Sequence, residues 1–378
     1  MVDDVDIDHS QTNQERRYLL DPYVDWTKAE GIPIADEFGL DILTTETGPW
    51  ARYDAKGAFL HVKGRGDFIS AYALELPPGK KTAPQRHLFE EVVYVLEGNG
   101  STTIDVPGGG QHTFEWGPRS LFALPLNVTY RHFNGSGQTK ALLACTHNMP
   151  LVMNTFHNAD FVFNNPYDFP ERLGDAKYFN GEGDFTAIKP GRHMWETNFV
   201  PDLSKMKLHT WDARGAGSAN ICFILADGVM HAHTSEIPAA RYKKAHRHDM
   251  GVHIYAVTGS GYTLLWHEGD EDFKRVPWRH GTMYAPPFWM FHQHFNTAPQ
   301  PARYLAVAIG SRRYPFTTMR RVGTAGAVDT SVKKGGRQIE YEDQDPRIHA
   351  TWLKELAAVG GKSDMGKYFP EDEKALAK

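Results

Sequence analysis

The chain repeats itself. Residues 75–87, from Glu75 to His87, lie without a gap over residues 236–248, from Glu236 to His248, at an offset of 161. The match continues from Gly98-Asn99-Gly100 onto Gly259-Ser260-Gly261. One residue is then inserted, and at an offset of 162 Trp116 meets Trp278, Pro125 meets Pro287, and His132-Phe133-Asn134 meets His294-Phe295-Asn296. A self-match of this length means that one structural module is used twice. In the first copy short apolar runs at 58–62, 68–76, 92–96, 101–106, 121–124 and 141–146 are separated by Gly, Pro and Asn. Strands of that length and spacing predict an all-β sandwich or barrel.

The rest of the chain divides around the two modules. Residues 1–49 read as an N-terminal arm with a short helix near 14–20, and 50–146 as the first barrel. Residues 147–210 lack clean periodicity but carry Phe156, Phe161, Phe163, Tyr167 and Phe169, which predicts an ordered connection and not a disordered linker. The second barrel spans 211–310. Residues 311–378 give a basic loop through Arg320-Arg321, a helix and a solvated tail. Asp345-Pro346 supplies the helix start, Ile348, Trp352, Leu353 and Leu356 one apolar face, and Gly360-Gly361 the stop.

The two copies have diverged unequally. In the second, His246 and His248 stand at i and i+2 of a strand and share a face. His292 follows the Pro286-Pro287 turn and returns to the same point. Three neutral imidazoles with open positions suit a divalent transition metal. In the first copy the equivalent places hold Gln85, His87 and Tyr130, with Glu91 where the second copy has Val252. Gln and neutral Tyr are poor ligands beside imidazole, so that barrel reads as degenerate even with His132 nearby. His231 and His233 share a strand face and are candidates to line the cavity. His253 alternates with Val252 and is expected at a surface or interface. His294, Arg241, Trp278 and Arg303 are candidate pocket residues, with Trp289 and Tyr284 as further walls.

Each copy resembles the two-part signature of the cupin family. Its first part, Gly then His-x-His, Glu and Gly, is met by Gln85, His87, Glu91 and Gly98, and by His246, His248, Val252 and Gly259. Its second part is met by Tyr130 and Asn134, and by His292 and Asn296. The resemblance implies two cupin barrels in tandem, of double-stranded β-helix or jelly-roll type. The three-histidine set without a carboxylate resembles the gentisate and salicylate 1,2-dioxygenase type of bicupin. That resemblance implies Fe(II), with Mn, Ni, Cu or Zn as other occupants, and a chelating anion such as a hydroxy-aromatic acid or β-dicarbonyl cleaved with O2. The alternatives are a lyase, isomerase or decarboxylase using its metal as a Lewis acid, or a non-catalytic binding protein. It also implies a homo-oligomer.

Composition narrows the partners. A net charge of −5 argues against a nucleic-acid surface. No apolar run approaches the roughly 20 residues that span a bilayer. The acidic start, Met1-Val2-Asp3-Asp4, lacks the apolar core of a secretory signal. Cys145 and Cys222 alone offer no disulfide framework, and a cytoplasmic protein is expected.

Overall fold

Each copy of the repeat builds one long and one short antiparallel sheet. The computed structural model describes residues 20–249, 251–316 and 328–372. In the first copy the long sheet places Ser70–Leu76, Ala141–His147, Glu91–Glu97 and Leu121–Ala123 side by side. The short sheet holds Tyr130–Asn134, Gly100–Asp105 and Gln111–Trp116. The second copy follows the same order, with Met230–Ile237, Ala302–Ile309, Val252–Thr258 and Thr282–Tyr284, then Phe291–Asn296, Ser260–Trp266 and Lys274–Arg279. Neighbours that are not consecutive in the chain make each copy a jelly roll. The fold is therefore all-β, two such barrels in tandem, as the repeat predicts.

The residues that the copies share prove to be framework. Asn134 donates to the carbonyls of Leu76, Pro77 and Thr139 at 3.0, 3.1 and 2.8 Å. Asn296 does the same to Ile237, Pro238 and Gln300 at 3.0, 3.0 and 2.9 Å. Each amide ties the end of a short-sheet strand to the long sheet. Gly98 and Gly259 sit at φ +82° and +75°, where a Cβ would meet Ala141 Cα at 2.6 Å or Ala302 Cβ at 2.7 Å. Only glycine serves both the turn and that close approach.

Three packed layers hold the molecule together. Tyr72, Val93, Val95, Phe122, Leu143 and Cys145 fill the first barrel. Ile237, Val252, Ile254, Tyr304 and Ala306 line the interior of the second. The outer faces of the two long sheets pack on one another through Tyr94, Leu121 and Ala144 against Tyr255, Leu305 and Val307. Strand alternation makes this possible, since both faces of each long sheet are apolar.

The segments outside the barrels are shared more intimately than expected. The arm pairs in parallel with the first barrel at Ile34–Ala35, then gives Gly39–Asp41 to the edge of the second barrel's long sheet. The connection likewise splits: its hairpin Asp184–Lys189 and Arg192–Thr197 extends the second long sheet, while Phe199–Val200 pairs with the first. The helix Pro346–Ala358 lays Ile348, Trp352 and Leu356 on Tyr242, Tyr262 and Phe295. The tail is anchored, not solvated, as far as Asp372, which His349 Nε2 meets at 2.9 Å. The helix expected near 14–20, apart from Leu20, and Arg320-Arg321 lie outside the described residues. No helix among the described residues is long and apolar enough to cross a membrane.

Candidate metal centre

His246 and His292 face each other directly across the ladder between Ala245–His246 and Phe291–Asn296. Their ring centroids are 4.0 Å apart, and His248 lies 4.7 Å from His292. The ligand atoms of all three lie within 4.8 Å of one another. Local structure explains the convergence. The turn after Pro287 returns with Trp289 at φ +60°, its N–H donating to the His248 carbonyl at 3.1 Å. The next carbonyl, of Met290, accepts from His292 Nδ1 at 3.3 Å, which leaves Nε2 with its lone pair outward. One turn thus holds the backbone of His248 and the ring of His292.

These residues fit a metal. His246 Nδ1 is buried with no hydrogen-bond partner. Burial, followed by neighbouring positive charge, holds His246 and His292 well below the usual imidazole range. Both are therefore neutral, the form that ligates. Among the described residues this is the one trio of His, Cys, Asp or Glu that could hold an ion.

The first barrel is filled instead. Its His87 Nδ1 donates to the Phe89 carbonyl at 2.8 Å, so Nε2 accepts from Tyr130 Oη at 3.0 Å. Tyr53 Oη meets Tyr72 Oη at 2.6 Å, and Tyr72 donates to Glu91. Gln85 turns its amide to the carbonyls of Arg52 and Ala83. Burial raises the Glu91 carboxyl to about 7, with the Tyr72 bond opposing.

Beside the second-barrel histidines lies a cavity of about 110 Å³. Its walls include His246, His248 and Val252, with His231 and His233, whose rings meet Nε2 to Nδ1 at 3.1 Å. The cavity also takes Arg192, Arg214, Lys243 and Tyr304. Lys243 Nζ donates to Tyr304 Oη at 2.9 Å and lies 3.4 Å from Ser235 Oγ. Burial lowers the Lys243 ammonium below its ordinary range, with the Tyr304 phenol opposing.

Several expected pocket residues lie elsewhere. Arg241 pairs with Asp364 at 2.6 Å on the surface. Arg303 is spent on Glu236 and on the carbonyls of Leu203 and Met206. Trp278 Nε1 donates to Thr263 Oγ1 at 3.1 Å, and Thr263 meets His294 Nδ1 at 2.8 Å. The first barrel repeats that chain as Trp116, Thr102 and His132 at 2.9 and 2.8 Å, which marks it as framework. Trp289 is 41% exposed, and neither it nor Tyr284 lines the cavity. His253, expected at a surface or interface, is fully buried on the outer face of its strand, electrostatically coupled to Arg65 and His61 of the first copy.

A comparison across the repeat would have exposed the residues that the reading missed. At an offset of 161, Lys243 and Tyr304 stand where the first copy has Thr82 and Leu143, and Ser235 stands for Leu74. Arg192 and Arg214 come from segments with no counterpart.

No protein-family model and no curated protein matches the chain. Among solved structures it is similar to a single-site variant of Bacillus subtilis oxalate decarboxylase, at 12% identity over 73% of this chain and 78% of that one, TM-score 0.48. It is also similar to the formate complex of Lactobacillus farciminis oxalate decarboxylase, at 11% identity over 76% and 90%, TM-score 0.49. A third neighbour, a study of the Mn(II) centres of the Bacillus subtilis enzyme, is 13% identical over 73% and 78%, TM-score 0.47.

Proposed function

We propose that the chain is a metal-dependent enzyme using one divalent ion, held by His246, His248 and His292, as a Lewis acid on a small anionic substrate. The reaction type is that of a lyase, isomerase or decarboxylase. One observation carries this reading: His246 and His248, two of the three imidazoles, line a cavity together with a buried Lys243–Tyr304 pair, 2.9 Å from Nζ to Oη. Bound there, the ion supplies positive charge to polarise a carbonyl or carboxylate oxygen. The chain's own residues supply the rest. Lys243 and Tyr304 hold a proton at Nζ and Oη that can pass to or from substrate carbon. Arg192 and Arg214 attract the anion. Val252, Ala308 and Trp211 keep water from the walls.

The cavity's size favours a small substrate. At about 110 Å³ it lies well below the roughly 300–1,000 Å³ of clefts for drug-sized ligands. The aromatic walls expected for a flat hydroxy-aromatic acid, Trp278, Trp289 and Tyr284, do not line it. A second reading, dioxygen-dependent cleavage with Fe(II), is favoured by Val252. With no carboxylate at that position the ion keeps its full charge for a chelating anion. The donor set admits Mn, Fe, Ni, Cu or Zn.

The discriminating assay incubates a panel of small carboxylic acids with protein loaded with Mn(II), Fe(II) or Zn(II), with and without oxygen. The proposal expects product in the absence of oxygen. It also expects a loss of about 10²–10⁴-fold in kcat when Lys243→Met removes the proton carrier. Turnover only in air, with one oxygen consumed per product, would transfer the function to the dioxygenase reading.

A further inference from the structure

Arg192, Arg214 and Lys243 are 6%, 3% and 4% exposed, and all three line the cavity. No Asp or Glu stands among the residues that line it. Among the described residues none of the three forms an ion pair. Arg214 donates to the Val328 carbonyl at 2.8 Å and to Gln338, Lys243 to two hydroxyls, and Arg192 stacks over Trp211 at 4.3 Å. Asp329, the acid that acts on both arginines, is taken by Lys189 at 2.8 Å. Three buried cations whose one nearby acid is already paired to Lys189 are costly, since each loses hydration that neutral partners restore only in part. Burial even draws the Arg214 guanidinium down to about 10. Such a cluster is stable when an anion completes it.

We propose that the Arg192–Arg214–Lys243 cluster is an anion subsite separate from the metal ligands, and that the substrate therefore carries two acidic groups. One group reaches the ion while the other, a carboxylate, sits on the cluster. This inference deepens the metal-dependent reading and rests on it for the first group only. Two guanidinium forks match a planar carboxylate bidentately, which a single lysine cannot do. The cavity's volume of about 110 Å³, well below that of clefts for drug-sized ligands, points to a short-chain dicarboxylate.

The test is calorimetric titration of the full chain, metal-free and Mn(II)-loaded, with malonate, succinate and glutarate against acetate and butyrate. Inorganic phosphate serves as a second anion source. One dicarboxylate should bind at least tenfold more tightly than its matching monocarboxylate. Arg192→Gln and Lys243→Met should each erase that preference, Lys243→Arg should restore it, and Mn(II) loading should stay unchanged in all three. Stabilisation of the metal-free wild type by the same dicarboxylate, read as a rise in Tm, gives a measurement that needs no variant. Equal binding of mono- and dicarboxylates by wild type, or a preference that survives both charge-removing variants, would overturn the inference. So would phosphate matching the best dicarboxylate. If the preference appears in metal-free protein but no metal ever loads, the subsite stands and the metal reading falls.

Discussion

Glu91 and Val252 occupy one position of the repeat and have moved in opposite directions. The first barrel keeps the carboxyl but buries it completely among tyrosines, raising it from an ordinary 4.5 to about 7. A raised carboxyl is protonated in the native state where the unfolded chain is already ionised. Its contribution to stability is thus full below about 4.5 and lost as pH rises through 7. Glu91→Gln keeps the acceptor for Tyr72 without the charge. It should raise stability at pH 8 by on the order of 3 kcal/mol and leave it nearly unchanged at pH 4, read from urea unfolding at both values. A pH-independent difference would show that Glu91 is not the titrating group. At this scale the histidine trio was legible in advance, but strand alternation is not what brings it together: the strand ends at His246, and the turn at Trp289 holds the backbone of His248 beside it. The cations were not. Arg303 and Tyr304 are adjacent, and strand alternation alone decides which enters the barrel. Register settles it: Arg303 lies across from Glu236 on the outer face, and Tyr304 points inward.

The strand that carries His292 is held from behind by an element far away in sequence. Trp352 of the helix Pro346–Ala358 is fully buried, and its Nε1 donates to the Asn296 carbonyl at 3.3 Å. The helix was readable from its cap and its apolar face. That it braces a ligand strand was not, because nothing local says which sheet receives that face. Trp352→Ala should cost about 3–5 kcal/mol of stability through the cavity it leaves. Because Asn296 ends the strand bearing His292, metal affinity should fall as well. Unfolding and metal titration on one preparation check both, and a large stability loss with unchanged affinity would separate the helix from the site. The arm and the connection show the same limit. Their short strands pair with both barrels, and such edge additions follow from tertiary packing, not from periodicity.

The two barrels meet over a seam in which His61, His147 and His253 are buried. Burial, the leading cause, lowers His61 to about 4, His253 to about 3 and His147 well below its ordinary range. Both ring nitrogens of His253 lack partners. A lowered imidazole stays neutral in the native state while the unfolded chain takes up protons. Its contribution is therefore full above about 6.5 and lost as pH falls toward the native value. At pH 5 His253 alone should account for about 2 kcal/mol of lost stability. His253→Leu should shrink the fall in Tm between pH 7 and pH 5, and an unchanged fall would place the acid sensitivity elsewhere. The tandem architecture itself was plain from the repeat, since a self-match at an offset of 161 residues admits few other folds. That one copy offers a metal-binding trio while the other is packed shut follows from the same comparison: a filled barrel with Tyr130 and Glu91, and one with His246, His248 and His292 beside Val252. The measurement that tests this most directly is elemental analysis of the full chain after loading with Mn(II) or Fe(II) and removal of excess ion. One ion per chain is expected, lost in His248→Ala and in His292→Ala, and retained in His87→Ala. Two ions per chain at full occupancy, or one that survives both second-barrel substitutions, would contradict it.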